Sequence, residues 1–264
     1  MDKCLVCNGD VTPVFTEKIL GKYDVAYHQC KDCLFLQTEK PYWLDEAYSS
    51  AIAISDTGLV SRNFSLASKL ASLLYFGFNP RLSYIDVAGG YGMLTRLMRD
   101  CGFDYYWDDK FCQNTLARGF EYDKAFNPLG GLSAFEVLEH VHDPLEFIEE
   151  LIKKHGVTTF IFSTLLYTGD SPPNKDWWYY SFETGQHISF CHEKTIKKIG
   201  EHFGLDLFSI HGIHILTRKK IRNRWLLPIA GGRLAPIFAL WARYRLGSRT
   251  WKDSLLLKNT NSSN

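Results

Sequence analysis

Four cysteines near the N-terminus stand in two pairs, Cys4-x-x-Cys7 and Cys30-x-x-Cys33, with 22 residues between the pairs. Two such knuckles let four thiolates converge on one tetrahedral Zn²⁺ at about 2.3 Å each. Four thiolates close the coordination sphere, so the metal would be structural rather than catalytic. A module of about 45 residues has too little core to fold easily without help, and a metal would supply the missing stabilisation. The competing reading is a pair of redox or merely buried cysteines. Cys101, Cys112 and Cys191 lack paired spacing and read as ordinary core thiols. A zinc ribbon also invites a nucleic-acid reading, but the first 45 residues carry no basic cluster.

The second chemical signal is the stretch DVAGGYG, Asp86 to Gly92, where a strand runs straight into glycines and then a helix. Small residues there let a ligand approach the backbone, and the helix N-terminus offers unpaired N–H groups. The G-x-G-x-x-G spacing of a dinucleotide site is absent, and the order is acid, any, small, Gly, Gly, any, Gly. Ala88 stands where a first glycine is expected; its methyl is tolerable if the backbone there has negative φ. A bare strand–glycine–helix turn is common, so its meaning depends on two later stretches. DYYWDDKF offers Asp108 and Asp109, 22 and 23 residues past Asp86, and SAFEVLEHVHDP brings Glu136, Glu139 and His140 together.

These side chains need elements to position them. Short β-like runs, PVFTEKIL and VAYHQC, flank the cysteine pairs. Leu66, Leu70, Leu73 and Leu74 recur at helical spacing in 64–78, and Pro80 ends that helix. From residue 83 onward strands and helices alternate, which predicts a parallel sheet with helices on both faces. SYIDVA, DYYWDD, LSAFEV and TTFIFSTL read as strands, and LDLFSIHG and IHILTRKK as closing strands. GMLTRLMRDCG, PLEFIEELIKKHG and EKTIKKIGEHFG read as helices, with a long loop running to about 190. The expected organisation is a zinc-binding module (1–45), a helical linker or lid (46–80), a cofactor-binding α/β domain (81–220) and a C-terminal arm (221–264).

Composition bounds the function. The chain has 264 residues, 45% hydrophobic and 22% charged, with a net charge of +1. That describes a globular protein with no global field favouring nucleic acid or acidic lipid. The N-terminus MDKCLVCNGD lacks the apolar core of a signal peptide, and no run of about 18 apolar residues appears. Seven cysteines without a disulfide pattern point to a reducing cytoplasm.

Taken together, Asp86-x-Ala88-Gly89-Gly90-x-Gly92 resembles the first motif of class I S-adenosylmethionine-dependent methyltransferases, with Gly90 and Gly92 matching its second and third glycines. That family places an acid at the end of the second strand of the sheet to accept the ribose hydroxyls, a role the resemblance assigns to Asp109. Glu136-Val137-Leu138-Glu139-His140, then Asp143-Pro144, resembles the family's strand-four motif, which puts Glu136 near the methionine end of the cofactor. Glu139 and His140 have a structural alternative, capping the helix or stabilising the loop. The order of two cysteine pairs, linker helix, glycine loop and E-V-L-E-H resembles that of sugar C-methyltransferases, and the longer pattern QTEKPYWLDEAYS through SFETGQHISF resembles methyltransferases of bacterial polysaccharide gene clusters. In PYWLDEAYSSAI, Tyr48 is the residue that would close over the cofactor. The resemblance implies a Rossmann-like α/β fold with helices on both faces plus a small zinc ribbon. It further implies S-adenosylmethionine as cofactor, structural Zn²⁺ and a saccharide acceptor in polysaccharide biosynthesis.

Sugar C-methyltransferases of this kind use a Glu-His pair followed by aromatics. Here the stretch reads Gly185-Gln186-His187-Ile188-Ser189-Phe190. A glutamine cannot take a proton, which favours an alcohol acceptor over enolisation of a keto-sugar. His187 is then the first candidate for the base and His140 the second, since imidazole titrates near neutrality. Before them, Trp177, Trp178, Tyr179 and Tyr180 either stack on a sugar or pack the loop. The arm after 220 mixes Trp, Leu, Ile and Arg, and is broken by Pro228, Gly231, Gly232 and Pro236. It reads as a packing arm or dimer contact, or as a peripheral contact with the inner membrane surface.

Overall fold

The structure, a computed structural model, describes residues 3–49, 56–123 and 129–261. In chain order the first elements are β1 (Val11–Ile19), β2 (Tyr23–Cys30), β3 (Leu36–Thr38), α1 (Leu44–Ala47) and α2 (Leu59–Gly77). Then come β4 (Ser83–Val87), α3 (Met93–Asp100), β5 (Asp104–Asp108), β6 (Leu129–Phe135), α4 (Pro144–His155) and β7 (Thr159–Ser163). The last are β8 (Ser189–Phe190), α5 (Glu193–Phe203), β9 (Asp206–Ile210), β10 (Ile213–Thr217), α6 (Leu227–Ala230), α7 (Ala235–Leu246) and α8 (Thr250–Asn261). Residues 50–55, which include the end of the PYWLDEAYSSAI stretch, lie outside the described residues. The fold is mixed α/β, as the alternation of strands and helices predicts.

The chain forms two compact units, one of residues 1–55 with 135–218, the other of 56–134 with 219–264. In the first unit β1, β2, β3 and β8 form a four-stranded sheet in that order, antiparallel throughout. Its fourth strand is the two-residue β8, which pairs Leu36 with Phe190 and Gln37 with Ser189. β8 falls inside the stretch that reads as loop in the sequence, because two residues are too few to show a period. The sheet covers a core of Val25, Tyr27, Leu36, Trp43, Tyr180 and Phe190. In the same unit β10 pairs antiparallel with β7 and β9.

Helix ends here follow sequence chemistry. Asp143 caps α4, its carboxylate accepting from the backbone of Leu145 and Glu146, with Pro144 at the first position and Gly156 left-handed after the last turn. This assigns the helix cap of the strand-four motif to Asp143 and leaves Glu139 and His140 out of that role.

In the second unit β4 pairs in parallel with both β5 and β6. α3 packs on β4 and β5, and α2 packs on α3, α6 and α7. The 64–78 helix starts earlier than its leucine spacing marks, at Leu59. The C-terminal arm is broken as predicted, into α6, α7 and α8.

Candidate active site

β4 runs into the glycine loop carrying Asp86, which is fully buried. Its Oδ1 accepts from Ser133 Oγ at 2.9 Å and its Oδ2 from Thr95 Oγ1 at 3.3 Å; Tyr105 donates in turn to Ser133 at 2.7 Å. Asp86 thus ties β4 to β6 and α3. Burial outweighs these two bonds and pushes the carboxyl up to about 7.

The next residue but one, Ala88, has φ of +53°, not the negative value expected from an alanine there. A side chain in the left-handed region costs roughly 1–2 kcal/mol, so the loop is held against strain by its surroundings. The glycines divide their work. A Cβ on Gly92, itself at φ +85°, would lie 2.5 Å from Asn114 Oδ1 and 3.1 Å from the Ala117 nitrogen. On Gly90 a Cβ would meet nothing within 4 Å. Gly92 therefore serves close packing, while Gly90 presents bare backbone to open space, which fits a ligand that must approach the chain.

Two residues hold Gly90 in place. Asp109 Oδ2 accepts from its N–H at 2.9 Å, and Trp107 Nε1 donates to its carbonyl at 2.8 Å. Asp109 Oδ1 also accepts from the backbone of Phe111 at 2.7 Å and Cys112 at 2.8 Å. β5 ends on Asp108, and Asp109 follows it into the turn. A carboxylate offers about four acceptor positions, so three backbone bonds leave Asp109 room for one further donor. Trp107 escapes the sequence reading, since an aromatic in a strand reads as core; a strand tryptophan just before the acid pair is the only signal it leaves.

The first unit carries a second cluster. Glu136 has φ of +53°; its N–H donates to Ser163 Oγ at 3.1 Å, and Ser163 donates back to its carboxylate. Leu138–His140 form a 3₁₀ turn. Both carboxylate oxygens of Glu139 are buried without a hydrogen-bond partner. Burial, with the Glu136 charge adding to it, pushes the Glu139 carboxyl up to about 7.

His140 Nδ1 lies 3.0 Å from the Gln186 carbonyl and 2.9 Å from the Tyr48 hydroxyl. His187 Nδ1 lies 2.6 Å from the Tyr179 carbonyl. A carbonyl oxygen only accepts, so each Nδ1 carries the proton and each Nε2 keeps its lone pair. The two rings meet edge-on with centroids 4.8 Å apart. Burial lowers the pKa of both histidines, and His140 adds to the effect at His187. Tyr48 is thereby placed on His140, and the sequence supplies no reason to pair them.

Gln186 is buried, and its Nε2 donates to the Ala47 carbonyl at 2.8 Å. A glutamate there would set a carboxylate against a carbonyl oxygen. Of the aromatic run, Tyr179, Tyr180 and most of Trp177 pack into the core around Phe190, while Trp178 is 73% exposed. The packing reading therefore holds for Trp177, Tyr179 and Tyr180, and Trp178 stands outside that core.

Among the described residues, two groups could hold a metal ion. The Sγ atoms of Cys4, Cys7, Cys30 and Cys33 all lie within 4.8 Å of one another. The 3.6 Å from Cys4 to Cys33 and 3.4 Å from Cys7 to Cys30 approach the about 3.8 Å that a tetrahedral zinc with 2.3 Å bonds requires. This donor set fits zinc. Ligand atoms of Glu139, His140 and His187 also gather within 4.8 Å. The cysteine group bears on the histidines through the sheet. Thr195 Oγ1 donates to the Cys33 carbonyl at 2.9 Å, the Thr38 N–H donates to the Ile188 carbonyl at 3.0 Å, and β3 pairs with β8 two residues past His187.

The profile of a family described as "Methyltransferase domain" matches residues 61–210, more than half of the chain. The chain belongs to the methyltransferase-domain family. Its fold class is accordingly that of the class I enzymes. Among solved structures it is similar to an O-methyltransferase family 2 protein from Planctomyces limnophilus in complex with apigenin, at 15% identity and a TM-score of 0.44, over 67% of this chain and 65% of that one. It is similar to the mitomycin 7-O-methyltransferase MmcR at 12% identity and a TM-score of 0.46, over 69% and 60%. It is similar also to the magnesium protoporphyrin IX methyltransferase ChlM from Synechocystis with bound SAH, at 17% identity and a TM-score of 0.40, over 68% and 93%. The chain spans less than two thirds of the length of the first two. No curated protein matches it. Among the described residues of this methyltransferase domain and its flanks, no helix is long and apolar enough to cross a membrane.

Proposed function

We propose that the protein transfers a methyl group from S-adenosylmethionine to a hydroxyl of a saccharide or glycan intermediate. The observation that carries this reading is the state of His187. Its Nδ1 is committed to the Tyr179 carbonyl, its Nε2 keeps a lone pair, and burial favours the neutral ring. That is a general base ready for an alcohol proton, a service worth about 10²–10⁴-fold.

When bound, the cofactor supplies an already activated sulfonium methyl. The residues that would hold it are Asp86, Ala88, Gly89, Gly90 and Gly92 of the loop and Asp109 beyond β5; the resemblance adds Glu136 and Tyr48. The open side of Gly90 supports this reading, because a cofactor without a phosphate to cradle needs bare backbone rather than the dinucleotide spacing. The chain's own residues then orient the acceptor oxygen, exclude water and take its proton. Orientation supplies several kcal/mol, up to about 7–11 in the best intramolecular cases. His140 is the second candidate for the base, and the unpartnered Glu139 carboxylate is the group that would favour a charged imidazole beside it.

Gln186 favours O- over C-transfer, since its amide is used to fasten Ala47 and has no proton-accepting role. A saccharide is favoured by exposed Trp178, whose ring offers a flat face for a pyranose, and by the resemblance to polysaccharide-cluster enzymes. Structural zinc on Cys4, Cys7, Cys30 and Cys33 would fix the sheet that carries β8.

Calorimetry with S-adenosylmethionine and S-adenosylhomocysteine tests the reading. Saturable binding of both is expected, and no binding at millimolar cofactor would leave a zinc-ribbon protein with a non-catalytic fold. Screening nucleotide sugars and glycan extracts for methyl transfer then tests the acceptor. NMR of the product, locating the methyl on oxygen or on carbon, decides between the alcohol and a keto-sugar nucleotide.

A further inference from the structure

The C-terminal arm presents an apolar and basic surface that methyl transfer does not require. Residues 221–264 hold eight lysines and arginines and a single acid, Asp253. With the whole chain at +1, residues 1–220 are left at −6. Asp253 is itself buried and spent. Arg99 grips it with two bonds of 2.8 Å, and Arg96 adds a third at 2.8 Å. The arm's outer surface is therefore cationic, and α8 is tied down by a buried ion pair rather than trailing loose.

α7 is fastened just as firmly. Its small residues Ala235, Ala239 and Ala242 are buried, and Ser72 of α2 donates to the Ala235 carbonyl at 3.0 Å. The stripe on its other side is Ile237, Leu240, Trp241 and Tyr244, at spacings of three, four and seven. Trp241 is 50% and Tyr244 80% exposed. Trp225 before α6 and Trp251 on α8 are 76% and 69% exposed. Cations accompany these rings: the Arg245 guanidinium lies 5.8 Å from Trp241 and the Lys258 ammonium 6.0 Å from Trp251. At the root of the arm, Lys219, Lys220 and Arg222 line a cavity of about 290 Å³ with Tyr84 and Gly130.

A contiguous apolar stripe rimmed by polar groups marks an interaction surface. Charge decides which occupant fits. A two-fold dimer would set this patch against its own copy, cation facing cation with no exposed acid in the arm to offset them. An anionic lipid surface takes the tryptophans at headgroup depth and draws the basic residues at once.

We infer that α6 to α8 form a peripheral docking surface for an anionic phospholipid bilayer. Binding lies in the interface plane, since no helix here is long and apolar enough to cross.

The test is cosedimentation of the full chain with vesicles of phosphatidylglycerol mixed into phosphatidylcholine, against pure phosphatidylcholine. Binding is expected to the anionic vesicles only and to weaken with added salt. Trp241→Glu, on an exposed position, should lower the partition coefficient at least about ten-fold by placing a charge in the apolar stripe. Arg243→Glu with Arg245→Glu should lower it by about ten-fold or more through charge alone. Thermal melts and cofactor calorimetry should match the parent chain, so failure here stays separate from failure of the methyl-transfer reading. No binding to anionic vesicles overturns the inference, as does a concentration-independent dimer in light scattering that Trp241→Glu dissociates.

Discussion

The glycine loop and the histidine cluster are built on opposite principles. In the loop every strong polar group is matched: Asp86 by two hydroxyls, Asp109 by three backbone N–H groups, Gly90 by bonds on both its amide and its carbonyl. In the cluster the donors are fixed and the acceptors left over. Each Nδ1 is locked on a carbonyl, each Nε2 keeps a lone pair, and neither carboxylate oxygen of Glu139 has a hydrogen-bond partner. A matched frame gives a rigid surface for holding a ligand. Unmatched acceptors in a buried place cost stability and persist where a proton or a ligand will complete them. The difference suits the proposed division between a holding region and a reacting one.

The sharpest way to break that contrast is His187→Ala. Turnover should fall about 10²–10⁴-fold while calorimetric affinity for S-adenosylhomocysteine stays within a few-fold. Full turnover in the variant would remove His187 from the base role. Cys30→Ser comes next. Elemental analysis of the parent chain should give one zinc per chain, and the variant should lose it and loosen the β1–β3 sheet, and with it β8, lowering turnover more than cofactor affinity.

On the holding side, Gly92→Ala should cost about 2–4 kcal/mol of stability in denaturant unfolding. Left-handed strain adds there to an overlap with Asn114 and the Ala117 backbone. Cofactor affinity should fall with it.

Stability against pH separates the two regions further. The Asp86 carboxyl is raised from an ordinary 3.8 to about 7, so between those values the folded chain holds a proton the unfolded chain has lost. Its contribution therefore weakens as pH rises from about 4 to 7 and levels off above. In the cluster Glu139 acts in the same direction, but His140 and His187, lowered by burial, act oppositely and lose stability as pH falls. Melting temperatures of Asp86→Asn across this range should show a flatter fall than the parent chain, whereas Glu139→Gln should leave the histidine effect exposed.

The smallest expected effect is Ala88→Gly, a gain of about 1 kcal/mol from relieved strain, read as a raised melting temperature. No gain would mean that the flexibility glycine adds to the unfolded chain offsets the relief.

Local pattern carried much of this arrangement. The helix of 144–155 is written in Asp143-Pro144 and Gly156, and the strand–glycine–helix order of 83–100 in its own residues. Ala88 shows where local reading stops, because a residue's φ follows from what braces the loop, and Trp107 and Asp109 do that from another strand. β8 shows the same limit, since two residues become a strand only when β3 lies alongside.

By itself the sequence determined the residue types that can do chemistry: four thiolates in two knuckles, a small-residue loop behind an acid, and histidines in 140 and 187. It determined too that the elements between them alternate, because period and capping are properties of neighbouring residues. Only the tertiary structure decided which nitrogen of each histidine is tied, that Glu139 is left unpartnered and that Gln186 is a fastener. Hydrogen-bond partners are spatial neighbours 46 residues apart for His140 and Gln186, and 139 apart for Gln186 and Ala47, and no periodicity reaches that far.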